Sequence, residues 1–259
     1  MITSTSNAKV KWLQSLQKKS KVRREEKLFI IEGTRFFEET PNELLQEVYV
    51  AESAQDSLKN LLINTKYEIM SDNIFHMVCD TMSPQGILAV VKQPAHNIEE
   101  MLTRENPFLL ILEDLQDPGN LGTIVRTAEG AGVDGIIMTK NCVDIYNPKV
   151  VRSTMGAIYR VPFYYLQEED ELNELLEQLK QKHIKTYAAA LRQAQDYDAY
   201  AYKEGTAFLI GNEGNGLKDN TIDACEYCVK IPMCGGLESL NAAVAAGILM
   251  YEGFRQRRH

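Results

Sequence analysis

The strongest constraint on this chain is a run of short, continuously apolar segments separated by amphipathic helical stretches. In the second part these segments fall at 108–115, 135–139, 161–166, 185–191, 206–212 and 228–233. A strand with one wet face alternates apolar and polar residues; FLLIL or TAFLI does not alternate. Both faces of such strands are therefore covered, as in parallel strands between helix layers. Helical patterns lie between them at 120–131, 149–157, 168–182 and 239–256. The first part repeats the alternation more weakly, with strand patterns at 28–33, 47–52, 67–71 and 86–93. It also has a basic helical stretch that carries Trp12, Leu13 and Leu16 on one side. Pro94 and Pro107 bound a polar stretch between the two parts. The predicted fold is α/β: a small α/β domain over 1–94, a linker over 95–106, and a larger domain with a mostly parallel sheet over 107–259.

The net charge of −8 is unevenly distributed. Residues 1–35 hold nine Lys and Arg against three Glu, so this segment carries +6 and the remainder −14. A basic arm on an acidic body points to a phosphate-bearing partner. The competing reading is a solvated helix face. No apolar run reaches the roughly 18 residues that a membrane span requires, and MITSTSNAKVKW has no secretory pattern. Five unevenly spaced cysteines suggest free thiols, and the protein is expected in the cytoplasm. Cys225 and Cys228 form a CxxC without a second pair or nearby histidines, so no metal is expected.

Ligands of open parallel sheets gather beyond the C-terminal ends of the strands. Three glycine-bearing segments follow strand ends in the second part. In 113–132, EDLQDPGNLGTIVRTAEGAG, Asn120 reads as a helix N-cap, Gly119 and Gly122 allow close backbone approach, and Arg126 falls inside the helix. FLIGNEGNGL at 208–217 matches neither a Walker loop nor a dinucleotide fingerprint. In 231–252, Ser239 and Asn241 read as the opening of an alanine-rich helix. Taken singly, each is an ordinary turn or cap.

Together, NxGxxxRxA at 120–128, RSTMGAIYRVP at 152–162, IGNEGNGL at 210–217 and IPM…SLNAA at 231–243 resemble the SpoU/TrmH branch of the SPOUT methyltransferases. The resemblance covers about 108–251. The first part, with NAKVKWLQSL, FIIEG and TMSPQGILAV, is similar to the substrate-binding module that often precedes this domain, a small ribosomal-protein-like fold that grips RNA.

The resemblance implies a parallel sheet ending in a deep trefoil knot that forms an S-adenosylmethionine pocket. Ile210, Gly211, Asn212, Ile231, Met233 and Leu240 would hold the cofactor. It further implies 2′-O-methylation of a ribose, in ribosomal RNA more than transfer RNA, by a homodimer. Arg126 would carry the chemistry, either helping to deprotonate the hydroxyl or holding the neighbouring phosphate and developing charge. Asn120, Glu213, Ser239 and Asn241 would support it. A catalytically inactive RNA-binding protein remains an alternative. A nicotinamide oxidoreductase is disfavoured because G-x-G-x-x-G is absent.

Overall fold

The computed structural model describes residues 1–237 and 239–258. By contact the chain divides into two compact units: Met1–Ala95 with Asp144–Tyr159, and His96–Val143 with the chain from Arg160 onward.

In chain order the elements up to the first division are α1 (Ala8–Lys18), α2 (Ser20–Glu26), β1 (Leu28–Glu32), α3 (Thr34–Glu39), β2 (Leu45–Ala51), β3 (Glu68–Met70), α4 (Asp72–Val78) and β4 (Ile87–Lys92). There follow α5 (Ile98–Leu102), β5 (Phe108–Leu112), α6 (Pro118–Ala131), β6 (Gly135–Met138), α7 (Pro148–Thr154), β7 (Phe163–Tyr165), α8 (Glu171–Gln181) and β8 (Lys185–Ala189). The last are β9 (Gln195–Asp196), β10 (Thr206–Ile210), α9 (Asp219–Ala224), β11 (Tyr227–Lys230) and α10 (Ala242–Arg257).

The first unit is built on a four-stranded sheet of order β1-β4-β2-β3, in which β4 is antiparallel to both neighbours and β3 is parallel to β2. Val10, Leu13 and Leu16 of α1 recur at helical spacing and close over Ile30, Tyr49 and Val90. The segment 144–159, with α7, belongs to this unit by contact although the sequence pattern assigned it to the second domain. Arg23 ties it in. Its guanidinium, only 3% exposed, donates to the carbonyls of Leu16 and Gln17 and, through Nε and Nη2, to Asp144 Oδ2 at 2.8 and 2.7 Å. One of the nine cations of the basic segment is thus consumed in the interior. Lys9, Lys21 and Arg35 are ion-paired, whereas Lys11, Lys18, Lys19, Arg24 and Lys27 are exposed and have no ion pair among the described residues.

The second unit carries a seven-stranded sheet of order β7-β6-β5-β10-β8-β11-β9, parallel throughout. All five residues of β5 and of β10 are buried, as their unbroken apolar pattern requires. Leu172, Leu175, Leu176 and Leu179 line one side of α8 and join the same core. The stretch 95–106, expected to be a linker, contains α5. Met101 and Leu102 there are buried in the core of this unit, which outweighs the polar residues around them. The short α9 and the two-residue β9 carry too few apolar positions to show a period in sequence. Cys225 and Cys228 pack against this core. Burial pushes the Cys225 thiol up to about 12, against an opposing hydrogen bond with Thr186, so it is protonated and unreactive at neutral pH. No helix among the described residues is long and apolar enough to cross a membrane.

Candidate active site

The strand order fixes where a site can form. The chain runs outward through β5, β6 and β7, then returns on the other side of β5, with β10 inserted between β5 and β8. The reversal leaves a crevice beyond the C-terminal ends of β5, β10, β8 and β11. A cleft of about 550 Å³ lies there, lined by the loops after β8, β10 and β11 and by the first turns of α10.

All six residues expected to hold a cofactor line this cleft: Ile210, Gly211, Asn212, Ile231, Met233 and Leu240. Glu213 and Ser239 line it too. The loop after β10 is organised by Asn212. Its backbone pairs with Gly216 in both directions (3.0 and 2.9 Å), its Oδ1 accepts from the Gly214 and Asn215 N–H groups, and its Nδ2 donates to the Asp114 carbonyl at 2.8 Å. A Cβ on Gly211 would sit 2.1 Å from the Gly216 carbonyl carbon and 2.2 Å from the Leu217 nitrogen. Glycine at 211 is therefore demanded by the chain folding back on itself.

Three of the expected residues form one hydrogen-bonded relay. Asn241 Nδ2 donates to Asn120 Oδ1 at 2.9 Å, and Asn120 Nδ2 donates to Glu213 Oε1 at 3.0 Å. The Glu213 carboxylate also accepts from the backbone N–H groups of Gln116 and Asp117. At the other end Asn241 Oδ1 caps α10 by accepting from Ala243 and Val244 N–H. The polarity is forced. A helix N-terminus offers only donors and a carboxylate only accepts, so each amide between them has one satisfiable orientation.

Two helix starts differ from the sequence reading. Asn120 is not the N-cap of α6. Asp117 holds that position and accepts from Asn120 N–H at 2.8 Å, while Pro118, which lacks an N–H, occupies the first helical position. The Asn120 side chain is thereby released for the relay. Likewise α10 begins at Ala242 with Asn241 as its cap, and Ser239 stands ahead of the helix, exposed on the cleft.

Arg126 is exposed on α6, outside the cleft lining, and has no hydrogen bond or ion pair among the described residues. It lies about 9 Å along the helix from Asn120 and roughly a third of a turn around it. Sequence reasoning missed Glu113, whose buried carboxylate accepts from Lys218 N–H (2.8 Å) and Thr221 Oγ1 (2.7 Å) and so fixes the start of α9. An acid directly after five buried apolar residues was the available signal. It also missed the loop after β8 (Leu191, Arg192), which the strand-end rule alone would have included.

Burial raises the Glu213 carboxyl, but the hydrogen bonds from Asn120 and the backbone of Asp117, Glu213 and Gln116 outweigh it and hold it below the ordinary range. A depressed carboxyl stabilises the folded state fully above its unfolded value of about 4.3. That contribution is lost as pH falls through the folded value, because the unfolded chain takes up the proton first. Wild-type thermal stability should therefore decline below about pH 4.3, and Glu213→Gln should flatten this decline. Melts between pH 7 and pH 3 check it; identical slopes would refute the assignment.

With this geometry in place the comparisons with known proteins are specific. Residues 107–251 match the model of the SpoU rRNA methylase family, and residues 7–89 match an MRM3-like substrate binding domain. The chain is 33% identical over 252 residues to the 23S rRNA (guanosine(2553)-2′-O)-methyltransferase RlmP of Bacillus subtilis, spanning 96% of this chain and 97% of that protein. Among solved structures, the SpoU methyltransferase AviRb of Streptomyces viridochromogenes in complex with AdoMet is similar at TM-score 0.84 and 27% identity, covering 97% of this chain and 99% of the other. An AdoMet-bound rRNA methyltransferase of Sinorhizobium meliloti matches at TM-score 0.83 and 25% identity, over 98% and 97% of the two chains.

The fold and cleft define an S-adenosylmethionine-dependent RNA methyltransferase. The chain belongs to the SpoU rRNA methylase family.

Proposed function

We propose that this protein methylates a ribose 2′-hydroxyl in 23S ribosomal RNA, as a cytoplasmic homodimer. The observation that carries the reading is the relay Asn241–Asn120–Glu213, which joins the starts of α6 and α10 to the loop lining the cleft. Similarity to RlmP of Bacillus subtilis over 96% of this chain supports the ribosomal target.

A cleft of about 550 Å³ falls within the roughly 300–1,000 Å³ of small-ligand sites. It combines apolar walls (Ile210, Ile231, Leu240) with backbone amides of the loop after β10. These residues would hold S-adenosylmethionine, which supplies an activated methyl on a sulfonium. The polypeptide must then bring the hydroxyl into line and manage its negative charge. Glu213 is a poor base for this, because its oxygens are committed to three donors; it anchors the loop. Arg126, exposed and without a partner among the described residues, holds the phosphate beside the reacting ribose and stabilises charge developing on the 2′-oxygen. Ser239 and Asn120 position the nucleotide.

The insertion of β10 between β5 and β8, with the loops after β10 and β11 over the strand ends, supports a trefoil knot as the cofactor cradle. The half-exposed Val244 and Tyr251 on α10, beside α6, support a dimer face there. The ribosomal-protein-like first unit supplies RNA affinity through the cations at 11, 18, 19, 24 and 27, which have no ion pair among the described residues. Replacing Lys18, Lys19 and Arg24 by Gln should weaken RNA binding and reduce the slope of log affinity against log salt by about 0.7 to 0.9 per lost phosphate contact. Binding titrations at several salt concentrations check this.

The deciding experiment is transfer of labelled methyl from S-adenosylmethionine to unmodified bulk ribosomal and transfer RNA, followed by nucleoside analysis. A labelled 2′-O-methyl nucleoside from 23S RNA is the expected result. Label confined to transfer RNA, or none despite cofactor binding, would overturn the proposed target.

A further inference from the structure

The first unit contains a recess of about 200 Å³. Phe36 and Met155 give it apolar walls, with Arg35, Arg152 and Gln85 around them. Its construction is specific. Gln85 Oε1 accepts from Thr34 N–H at 3.0 Å and from Thr34 Oγ1 at 3.2 Å. A backbone N–H only donates, so the amide orientation is fixed and the Gln85 –NH₂ has no partner among the described residues. Gly33 makes this seat available: with φ +97°, a Cβ there would lie 2.8 Å from Gln85 Oε1.

The hydrogen-bonding character is one-sided. The Glu32 oxygens are taken by Gln17 Nε2, Asp80 N–H, and the N–H and hydroxyl of Thr81. Glu39 accepts from Arg35 Nε, and Arg152 uses Nη1 on Asp80. The Gln85 amide and the other N–H groups of Arg35 and Arg152 are donors left for a ligand. The volume lies below that of small-molecule sites, which start at roughly 300 Å³, and suits a single planar group. Two carboxylates in the wall, Glu32 and Glu39, oppose an anion such as phosphate. A neutral flat group with carbonyl oxygens on its edge answers every one of these features.

We propose that this recess seats one unpaired keto base of the RNA substrate, guanine or uracil. The base would lie against Phe36 and Met155, and its carbonyl oxygens would accept from Gln85 and the two arginines. Splayed, unstacked bases read in this way are the usual targets of sequence-specific RNA recognition. Adenine carries an N6 amino donor where guanine carries the O6 carbonyl, and would set donor against donor at that edge. The proposal rests on the RNA-methyltransferase reading above.

The test is fluorescence anisotropy of the full chain with three end-labelled octaribonucleotides: all adenosine, and the same with one central uridine or guanosine. The keto oligomers should bind about three- to tenfold tighter, the range for one or two net hydrogen bonds. Gln85→Glu keeps the acceptor for Thr34 but deletes the amide donors, so it should abolish the preference while leaving the melting temperature unchanged. Arg35→Gln, at an exposed rim position, should reduce the preference in part. A 4-thiouridine at the central position should cross-link to the peptide containing Phe36 or Met155. Equal binding of the three oligomers, a preference retained in Gln85→Glu, or cross-links only elsewhere would overturn the proposal. If bulk RNA is methylated normally while oligomer binding is base-blind, the recess assignment alone fails; if methylation is also absent, the enzymatic reading fails with it.

Discussion

Arg126→Ala is expected to lower methyl transfer by about 10²- to 10³-fold, the usual cost of removing one group that stabilises transition-state charge, while leaving fold and cofactor affinity intact. The structural basis for the second half is direct. Arg126 projects from the exposed side of α6, makes no hydrogen bond or ion pair among the described residues, and does not line the cleft. The buried side of that helix is carried by Leu121, Ile124, Val125 and Ala128, which the substitution does not touch. Alanine at an exposed helix position is also favourable to the helix itself. Single-turnover rates, melting curves and cofactor titration on the same preparation separate the two halves. A near-normal rate would remove Arg126 from the mechanism. A lowered rate accompanied by lost cofactor binding would move it from substrate to cofactor.

The second large effect is expected at Gly211. Its added Cβ strikes backbone atoms of Gly216 and Leu217 at 2.1 and 2.2 Å, and backbone cannot rotate aside as a side chain can. Gly211→Ala should therefore cost about 3 kcal/mol, the upper part of the range for forced overpacking, and lower the melting temperature by roughly 6–12 °C. It should also weaken cofactor binding by tenfold or more, because the displaced segment is the cleft wall. Gly214→Ala is the control. A Cβ at 214 meets nothing closer than the Asn212 Oδ1 at 3.5 Å, so stability should change by less than about 1 kcal/mol. If both variants behave alike, the two-way pairing of Asn212 with Gly216 does not govern the loop.

Much of this was legible in the sequence, for identifiable reasons. Strands such as FLLIL and TAFLI are buried on both faces, and unbroken apolarity is the direct signature of that environment. The position of six residues on the cleft was legible through a family motif; periodicity says nothing about which loop turns inward. Helix starts were read less well. Asn120 belongs to a residue type that favours caps, but Asp117 stands in the geometrically correct place; of Ser239 and Asn241, both read as opening α10, Asn241 is the cap. Propensity ranks these residues nearly equally, so only the position of Pro118 could have shifted the first reading. The linker was misjudged because two buried side chains, Met101 and Leu102, outweighed eight polar neighbours. The assignment of 144–159 to the first unit depends on pairs such as Arg23–Asp144, 121 positions apart, which no local pattern encodes.

The position of β10 has a consequence for how the chain reaches its native state. Strand β5 is complete at residue 112, yet one of its two partners, β10, does not begin until residue 206. During synthesis β5, β6 and β7 can assemble early, leaving the Leu109 and Ile111 edge of β5 without its neighbour while nearly a hundred further residues are added. Pairing across such a separation is intrinsically slow, and an apolar edge left open in the meantime is a template for other chains. Maturation of this enzyme is therefore set by the arrival of its tenth strand, and truncations that end before residue 206 should accumulate as aggregates instead of as a smaller folded sheet.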